Sequence, residues 1–308
     1  MLAPHQKGVI QIDITNRCDL GKCSNCTRML YYHQKRFNMS LDNFKRAIDS
    51  MAGYNGVIGI FGGNPCIHPQ FQEISEYFEK AVPNKAQRGL WSNNVNGHGE
   101  LIRRVYGYFN LNVHTNENHA SEIRRDIPGV TVWGDRSLSW HSPTLVAIKD
   151  MIPEEGKMWE LIEKCDVNLH WSGAITEING NLRAYFCEIA AAFDHMYGED
   201  NGLEVTPGWY GQPIQNYDKQ IQRWCPNCGI PLKLKGHQDL DFVDDISSTH
   251  QDRVQLTIKG KNRKVQIHQN LEGQRTHEAT DYMGLRKQNK PKTQGIRVVK
   301  RRDIPSSY

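Results

Sequence analysis

Short apolar segments alternate with amphipathic ones over the first 135 residues of the chain. Residues 56–61 are continuously apolar, as is typical of a strand buried on both faces of a parallel sheet. Residues 41–51 instead carry apolar side chains every three or four positions, and Ser40 before them is a good helix N-cap. The alternation predicts a parallel sheet with crossover helices. Strands are predicted at 8–14, 56–61, 88–92, 109–114 and 130–133, and helices at 41–51, 69–82, 100–106 and 120–126.

A different pattern follows residue 160. Strands are predicted at 166–171, 173–178 and 182–186, the last two joined by the strong hairpin turn Asn179-Gly180. Residues 189–197 read as a helix and 202–217 as a Gly/Pro/Gln-rich loop. Residues 253–258 and 264–269 alternate around Gly260-Lys261-Asn262, which predicts a second hairpin. Residues 289–308 hold few apolar side chains, and we expect them to be partly disordered.

Composition indicates a polar globular protein. The chain has 308 residues, of which 38% are hydrophobic and 23% charged, and its mean hydropathy is −0.65. No apolar run approaches the ~20 residues of a membrane span, and the first residues lack the apolar core of a signal peptide. We therefore expect a cytoplasmic protein with no membrane partner.

Charge is distributed unevenly along the chain. Residues 251–308 hold 14 lysines and arginines against 5 acidic residues, whereas residues 1–250 hold 24 against 29. One interpretation is a basic C-terminal segment that contacts phosphate or another polyanion. The other is a solvated tail that aids solubility.

Eight cysteines stand in this sequence, at tight spacings that favour metal binding or catalysis over disulfides in a reducing compartment. Cys18, Cys23 and Cys26 form a CxxxxCxxC array directly after the first predicted strand. Three thiolates on one loop would leave one iron of a [4Fe–4S] cluster open for a ligand. A zinc ion is the alternative, with His33 as its fourth ligand.

A glycine-rich turn follows the second predicted strand. Gly62-Gly63-Asn64-Pro65 stands at the carboxyl end of residues 56–61, the edge at which parallel α/β barrels build active sites. Two glycines there allow a ligand to approach the backbone closely. A tight strand-to-helix turn would also use glycine, but that does not explain why the turn follows the strand next after the cysteine loop.

Together these motifs resemble the radical S-adenosylmethionine (radical SAM) enzymes. Members of that family have a strand, a three-cysteine loop and then a Gly-Gly-Glu-Pro turn after the second strand, often followed by His-Pro. The resemblance covers residues 8–160 and implies a partial (βα)6 barrel, similar to a TIM barrel. It also implies a [4Fe–4S] cluster with SAM on its open iron, which on reduction yields a 5′-deoxyadenosyl radical that removes hydrogen from a substrate. The matching residues are Cys18, Cys23, Cys26, Gly62, Gly63, Asn64, Pro65, His68 and Pro69.

The chain departs from the family pattern in three ways. The first cysteine gap is one residue longer than usual, and Thr27 stands where an aromatic residue is usual. Asn64 replaces the family's Glu, so it keeps an acceptor oxygen for the SAM ammonium but carries no charge. Further SAM contacts are expected at strand ends, although turn-forming asparagine explains several of these positions equally well. They are Asn93, Asn94, His114 and Asn116.

Four more cysteines frame the first predicted hairpin and a later CxxC motif. Alone, Cys165, Cys187, Cys225 and Cys228 favour zinc and iron–sulfur about equally. Beside a radical SAM barrel they resemble a twitch domain, the shortened SPASM module that holds one auxiliary [4Fe–4S] cluster. We therefore expect an α/β protein with a partial barrel (1–160), a small twitch domain of hairpin and helix (161–240) and a basic C-terminal extension with a β-hairpin (241–308).

The resemblance ranks the possible reactions. Dehydrogenation of a small polar sugar-, cyclitol- or nucleotide-like molecule comes first, with the auxiliary cluster accepting an electron. Epimerisation follows, with Cys66 as a possible hydrogen donor, and then decarboxylation or modification of a peptide substrate. An external one-electron donor of the flavodoxin or ferredoxin type is implied. A zinc-knuckle nucleic-acid-binding protein is the alternative of another class. The candidate general bases are His68, His114, His141, His170, His195 and Glu188.

Overall fold

The computed structural model describes residues 1–21, 23–134, 140–258 and 263–276. Within these ranges no helix is long and apolar enough to cross a bilayer. The strands, in chain order, are β1 (Val9–Thr15), β2 (Val57–Gly62), β3 (Arg88–Ser92), β4 (Tyr108–Asn112), β5 (Val132–Trp133), β6 (Ser172–Ile178), β7 (Asn181–Tyr185), β8 (Leu203–Glu204), β9 (Val243–Ser247) and β10 (Lys264–His268). The α-helices are α1 (Leu41–Asp49), α2 (Phe71–Ala81), α3 (Gly99–Val105), α4 (Glu117–Asp126), α5 (Ile148–Met151), α6 (Glu155–Glu163), α7 (Asp166–His170), α8 (Glu188–Tyr197), α9 (Asp218–Trp224) and α10 (Ser248–Ile258).

Eight strands form one sheet in the order β5-β4-β3-β2-β1-β6-β7-β8. Strands β1 to β5 pair in parallel, and helices α1 to α4 connect them in turn. This confirms the predicted α/β class with a parallel sheet and crossover helices. Strand β6 pairs in parallel with β1 and adds a sixth parallel strand, so the sheet is consistent with the predicted partial TIM-like barrel, with its last parallel strand beyond residue 160.

The first crossover helix forms as its sequence pattern predicts. The Ser40 hydroxyl accepts a hydrogen bond from the backbone N–H of Asn43 at 3.1 Å, which satisfies one of the free donors of the first turn. Phe44 and Ile48, four residues apart, are buried on one face of α1. The Phe44 ring packs edge-on against Phe78 of α2, with centroids 6.2 Å apart. Burial of one such phenylalanine stabilises the fold by about 1.5–3 kcal/mol.

The first predicted hairpin extends the sheet on the other side of β1. Strand β6 pairs in parallel with β1, and β7 returns antiparallel to β6. Asn179 and Gly180 both have positive φ, of 50° and 83°, as a two-residue hairpin turn requires. The domain boundary predicted at residue 160 therefore falls between β5 and β6, which belong to one continuous sheet.

The strand predicted at 166–171 is wrong, because these residues form helix α7. Val167 and Asn168 are buried side by side, which an exposed-buried alternation would not allow. The Asn168 side chain bonds both backbone groups of Leu2, accepting from its N–H at 2.9 Å and donating to its carbonyl at 3.3 Å. A tertiary contact with the N-terminus, which the local sequence pattern does not reveal, thus accompanies the helix.

The hairpin predicted in the C-terminal extension is also wrong. Strands β9 and β10 pair in parallel, and α10 crosses between them. His250 and Val254 of this helix are both fully buried and lie four residues apart, whereas Leu256 is 74% exposed. The alternating apolar residues therefore lie on different sides of a helix, with Val254 on the buried side and Leu256 on the exposed side. Residues 260–262 and 289–308, with their predicted turn and disorder, lie outside the described residues.

Candidate functional site

A cavity of about 280 Å³ opens at the carboxyl ends of strands β2 to β5. The loop after β1 carries Cys18, Cys23 and Cys26 to the same cavity, so all three thiols line it. Ligands of parallel α/β sheets bind at this edge. The strand-end residues that line the cavity are Gly62, Gly63, Ser92, Asn93, Asn110, Asn112, His114, Trp133 and Gly134.

Gly62 and Gly63 line the cavity. Glycine is required at both positions because the turn packs closely against the backbone at Thr15 and Arg17. Gly62 has φ +132°, and a Cβ there would stand 2.0 Å from the carbonyl oxygen of Thr15. A Cβ on Gly63 would stand 1.9 Å from the carbonyl oxygen of Arg17. The backbone N–H groups of Gly63 and Asn64 donate to these two carbonyls at 2.9 and 2.7 Å. The turn therefore clamps the start of the cysteine loop to the end of β2.

Asn64 is fully buried, and both ends of its amide are bonded within the protein. Its Oδ1 accepts from the Cys66 backbone N–H at 3.1 Å and from the Ser92 hydroxyl at 2.7 Å. Its Nδ2 donates to Asp19 Oδ1 at 3.0 Å and to Asn94 Oδ1 at 2.7 Å. The oxygen predicted to receive the SAM ammonium is therefore already occupied by two donors.

Asp19, which no sequence motif singles out, supplies the carboxylate at this edge of the sheet. Its Oδ1 accepts from Nδ2 of Asn64 at 3.0 Å and of Asn93 at 3.2 Å, and its Oδ2 accepts from Nδ2 of Asn94. The side chain remains 30% exposed. Three amide donors thus hold an anionic group next to Cys18.

The remaining predicted SAM contacts divide between two environments. Asn93 and His114 line the cavity, and the Oδ1 atom of Asn93 is buried without a hydrogen-bond partner in the part of the chain that is described. Asn94 lies behind the lining, bonded to Asn64. Asn116 caps helix α4 by accepting from two backbone N–H groups at 3.1 and 3.2 Å. Asn93 is the asparagine best placed for a ligand, because an unpaired buried acceptor favours an incoming donor.

Pro65 and Cys66 begin a short 3-10 turn beneath the glycines. Cys66 is fully buried, and its Sγ lies 3.4 Å from the Ser92 hydroxyl. Burial raises the pKa of this thiol to about 12. Cys66 is not part of the cavity lining. The environment is that of a small buried residue, and the hydrogen-donor role stays a prediction.

The imidazole of His33 has no nitrogen left for a metal. Its Nδ1 pairs with the Asn16 side-chain amide at 3.0 Å, and its Nε2 with the carbonyl oxygen of Arg28 at 2.7 Å. The ring stacks on His195 with centroids 4.8 Å apart. Burial lowers the pKa of His33 well below its usual value. The alternative in which His33 completes a zinc site is therefore wrong.

Two buried carboxylates of β9 brace the cysteine loop. The backbone N–H of Asn25 donates to Asp244 at 2.7 Å, and its side-chain amide exchanges two hydrogen bonds with Asp245. Arg263 forms a bidentate ion pair with Asp244 at 2.5 Å and donates to the carbonyl oxygen of Cys23. The C-terminal βαβ unit is therefore part of the cysteine site, a role that the sequence did not predict.

Asp239 holds two imidazoles at the cavity. The Nδ1 atoms of His114 and His141 lie 2.7 Å from Oδ2 and Oδ1 of this carboxylate. The backbone carbonyl of Asp239 accepts from the Ser24 N–H at 2.9 Å, which ties it to the cysteine loop. Burial alone would raise the pKa of Asp239, but the two histidines hold it well below its usual range. Asp239 is thus a buried anion shared by two cavity-lining imidazoles.

A buried ion pair between Arg28 and Asp13 lies under the cavity. Nη1 of Arg28 donates to the carbonyl oxygen of Glu188 at 2.7 Å, and its guanidinium lies over the Phe61 ring, 5.1 Å from the centroid. Burial lowers the pKa of Arg28 to about 10, so the group stays charged at neutral pH. This positive charge also acts on Cys187, a member of the second cysteine set.

The four cysteines of the second set lie around one cavity. Cys165, Cys187, Cys225 and Cys228 all line one small apolar cavity of about 30 Å³. Burial raises the pKa of the Cys165 thiol to about 12, and the neighbouring Cys187 raises it further. A set of buried, mutually repelling sulfurs is suited to a cation that holds them as thiolates.

Lys7 places a buried ammonium group beside this second set. Its Nζ donates to the carbonyl oxygen of Phe186, and its charge acts on Cys187, Cys165 and Cys225. Burial lowers the pKa of Lys7, although the neighbouring sulfurs oppose that effect. The ammonium offsets part of the negative charge that a thiolate-bound metal group would bring.

One layer of apolar side chains separates the two cavities. Val167, Ile189 and Ile230 line both of them. Two chemical centres built in these cavities would thus lie on opposite sides of a single wall, which we call the shared wall.

The spacing of the sulfurs distinguishes between metals. Tetrahedral zinc with bonds of about 2.3 Å holds its sulfur ligands about 3.8 Å apart. All eight cysteines are among the described residues. In those residues, three potential ligand atoms of His, Cys, Asp or Glu lie within 4.8 Å of one another only at His114, His141 and Asp239. A cubane with iron at four corners spreads its thiolates more widely than a single ion does. Among the described residues, neither cysteine set brings three Sγ atoms within 4.8 Å of one another.

Comparison with known proteins gives little sequence similarity. No protein-family model matches the chain, and no curated protein matches it. Similar solved structures include the crystal structure of BtrN in complex with AdoMet and 2-DOIA, at 10% identity and a TM-score of 0.49, covering 77% of this chain and 98% of that one. Selenomethionine BtrN in an open conformation is 14% identical, with a TM-score of 0.39, over 73% of this chain and 87% of that one. Neither TM-score reaches 0.5.

Proposed function

We propose that this chain is a radical SAM oxidoreductase with two [4Fe–4S] clusters. The observation that carries the proposal is the convergence of Cys18, Cys23 and Cys26 on a large cavity at the carboxyl ends of parallel strands. Three thiolates leave one cluster iron open for SAM. The absence of three Sγ atoms within 4.8 Å of one another among the described residues supports clusters over a single zinc ion.

When bound and reduced, the first cluster would supply the electron that cleaves SAM to methionine and a 5′-deoxyadenosyl radical. The chain's own residues would bind and orient the cofactor. The unpaired Oδ1 of Asn93 is available to a donor such as the SAM ammonium, and the carboxylate of Asp19 adds negative charge beside it. These two groups support SAM binding in place of the oxygen of Asn64.

The cavity lining supports a small polar substrate that carries hydroxyl groups. Gln11 lines the cavity, and its Oε1 is buried without a hydrogen-bond partner in the described ranges. Asn110 and Asn112 alternate along β4, so both amides lie on the same face of the sheet. Amide groups of this kind accept from and donate to hydroxyls. A sugar-, cyclitol- or nucleotide-like molecule fits this lining.

Dehydrogenation is the reaction that the second cysteine set supports best. Removal of a hydrogen atom and a proton from a carbinol leaves one electron to be accepted. An auxiliary cluster on Cys165, Cys187, Cys225 and Cys228 would stand across the shared wall from the substrate. Lys7 and Arg28 would stabilise added negative charge there. A flavodoxin- or ferredoxin-type protein would deliver the first electron.

Two other functions are less well supported. Epimerisation would need a hydrogen donor at the substrate, and Cys66 is buried outside the cavity lining. A zinc-knuckle nucleic-acid-binding protein would not need a polar cavity at the edge of a parallel sheet. The polyanion contact proposed for the basic C-terminal segment remains a separate proposal, since that segment extends beyond residue 276.

Iron content and SAM cleavage test the proposal. The full chain, purified anaerobically, is expected to hold roughly eight irons and to release 5′-deoxyadenosine with SAM and dithionite. Cys18→Ser and Cys225→Ser are each expected to lose about four irons, whereas the matched variant Cys66→Ser keeps all of them. Only Cys18→Ser abolishes SAM cleavage outright. A colourless, zinc-loaded wild type, or an unchanged iron content in Cys18→Ser, would refute the proposal.

A further inference from the structure

His114 and His141 present the same atoms to the large cavity. Each has its Nδ1 within 2.7 Å of the Asp239 carboxylate. Carboxylate and carbonyl oxygens only accept hydrogen bonds, and Nδ1 of His141 also faces the Ser24 carbonyl oxygen at 3.2 Å. Both Nδ1 atoms therefore carry a proton, and a ring in its neutral form has its lone pair on Nε2. Within the described residues neither Nε2 takes part in a hydrogen bond, and both rings line the cavity. The pair therefore presents two open Nε2 atoms at a ligand site, an acceptor on a neutral ring and a donor on a charged one.

The chain builds this arrangement from three separate segments. His114 follows β4, His141 follows Trp140, and Asp239 begins the 3-10 turn Asp239–Asp241. The imidazole centroids lie 5.1 Å apart. His114 and Thr115 have φ values of 47° and 64°, in the left-handed region that a β-branched residue rarely adopts. Backbone strain of this kind persists where surrounding structure enforces it, often at functional sites.

The two histidines experience opposite electrostatic environments. Burial lowers the pKa of His114, with His141 and His119 lowering it further and Asp239 opposing them. Burial would also lower the pKa of His141, but Asp239, the Ser24 carbonyl and Asp244 together raise it above its usual value. Paired groups whose pKa values are driven apart divide into a base and an acid.

We propose that His114 and His141, joined by Asp239, form an acid–base pair in which His114 takes the hydroxyl proton of a carbinol substrate and His141 remains a cation beside the oxygen. The proposal rests on the proposed function for the identity of the substrate. It gives His114 a role different from the SAM contact predicted from its position after β4. Asp239 is a positioning residue, since it accepts from Nδ1 of His114 and places its charge 2.7 Å from Nδ1 of His141, which also faces the Ser24 carbonyl oxygen.

The reaction balances with this assignment. Oxidation of a carbinol to a carbonyl releases one hydrogen atom from carbon, one proton from oxygen and one electron. A 5′-deoxyadenosyl radical would take the hydrogen atom, Nε2 of His114 would take the proton, and an oxidised auxiliary cluster held by the second cysteine set would accept the electron. Positive charge on His141 stabilises the oxygen while it is negative.

Chemical modification of the histidines tests the pair without a substrate. Diethyl pyrocarbonate acylates neutral imidazole, so the rate at each histidine follows its neutral fraction. The anaerobic full chain with its clusters is modified between about pH 5 and about pH 9, and each histidine is quantified by peptide mass spectrometry. The half-maximal rate of His114 is expected below pH 6.5 and that of His141 above it.

Asp239→Asn removes the negative charge shared by the two histidines and keeps the shape of the side chain. In this variant the half-maximal pH of His141 is expected to fall by about one unit or more, because the charge that raises its pKa is gone. Asp241→Asn, in the same 3-10 turn, is the matched control: its carboxylate accepts from the Gln238 N–H at 3.0 Å, and we expect both profiles to stay unchanged. Coincident half-maximal pH values in the wild type, or an unchanged His141 profile in Asp239→Asn, would overturn the pair.

Release of 5′-deoxyadenosine from SAM, measured on the same preparation, reports the proposed function separately. Cleavage of SAM together with separated histidine profiles supports both proposals. Cleavage without separated profiles overturns the acid–base pair alone. Separated profiles without cleavage overturn the radical function and, with it, the substrate role of His114.

Discussion

The side-chain amide of Asn64 donates a hydrogen bond to the Asp19 carboxylate at 3.0 Å. The turn after β2 reads Gly-Gly-Asn-Pro, so it has no acidic side chain of its own. The carboxylate stands instead on the cysteine loop, held by the amides of Asn93 and Asn94 as well. One buried amide therefore connects the two motifs that the sequence sets 38 residues apart, from Cys26 to Asn64.

Asp19→Asn is expected to weaken SAM binding roughly tenfold, or about 1.4 kcal/mol. Asparagine keeps the shape of the Asp19 side chain but removes its negative charge. That charge lies beside Cys18 and beside the unpaired oxygen of Asn93. Equilibrium binding of SAM to the anaerobic holoenzyme measures the effect. Asp42→Asn, whose side chain is 91% exposed on helix α1, serves as the control with the same change in net charge. Equal affinity in both variants would remove Asp19 from the cofactor site.

Lys7→Met is expected to shift the reduction potential of the auxiliary cluster to more negative values. The variant loses a buried positive charge beside Cys187 and Cys165 but keeps much of the side-chain volume. Reduction adds an electron, so it becomes less favourable when that charge is absent. A shift of roughly 60 mV corresponds to about 1.4 kcal/mol for one electron. Potentiometric titration followed by electron paramagnetic resonance measures it, and Lys35→Met, whose ammonium binds Asn179 at the surface, is the control.

Gln11→Met is expected to leave stability unchanged or to raise it by up to about 1 kcal/mol. The Oε1 atom of Gln11 is buried without a partner in the described structure, so its removal relieves an unsatisfied acceptor. Gln220→Met is the matched control, because that buried amide accepts from the Phe186 N–H at 3.3 Å and donates to the Ala184 carbonyl at 3.0 Å. We expect the control to lose about 1–3 kcal/mol in denaturant unfolding. A comparable loss in Gln11→Met would mean that this glutamine has a structural role and is not reserved for a ligand.

His195 is expected to make the fold sensitive to acid. Burial lowers its pKa to about 3, with the charge of Arg28 acting in the same direction. Because the folded pKa lies below the unfolded value of about 6.5, the neutral ring stabilises the fold above that pH, and the contribution is lost as pH falls from about 6.5 toward 3. One proton taken up on unfolding changes the free energy of unfolding by roughly 1.4 kcal/mol per pH unit.

In His195→Gln the free energy of unfolding should therefore depend less steeply on pH below about pH 6. The reduction in slope should correspond to close to one proton. The replacement retains a polar group for the Thr176 hydroxyl, which pairs with His195 Nε2 at 2.8 Å. Urea unfolding at several pH values measures the slope. His170→Gln, at an exposed position on helix α7, is the control. An unchanged slope in His195→Gln would assign the acid sensitivity to other buried groups.

The sequence predicted the N-terminal half of the sheet well because its signals are local. A cap at Ser40 and apolar positions at helical spacing specify α1 within the segment itself. The hairpin at Asn179-Gly180 is equally local, because two residues with positive φ define it. The seven cysteines assigned to two sets also lie where spacing and order indicated, and each set lines one cavity.

The parts of the site that were missed depend on contacts between distant segments. Strand β9 contains Asp244 and Asp245, which look like loop residues until Asn25 and Arg263 are seen to bind them. Asp239 gains its role only because the fold brings it to two histidines, the nearer of which is 98 residues away in the chain. The sequence signal that could have indicated this role is the pair Asp244-Asp245 between apolar residues, since carboxylates that are buried need partners.

Because the shared wall lines both cavities, a substitution in it changes both cavities at once. Val167, Ile189 and Ile230 shape the substrate side and the electron-accepting side at once. A change there that admits a larger substrate also alters the packing and solvation around the second cysteine set, and with them the driving force for the last electron. Selection for a new substrate would therefore act on substrate residues and redox residues together, which favours changes at the opposite rim, on β4 and β5, where the cavity has no second function.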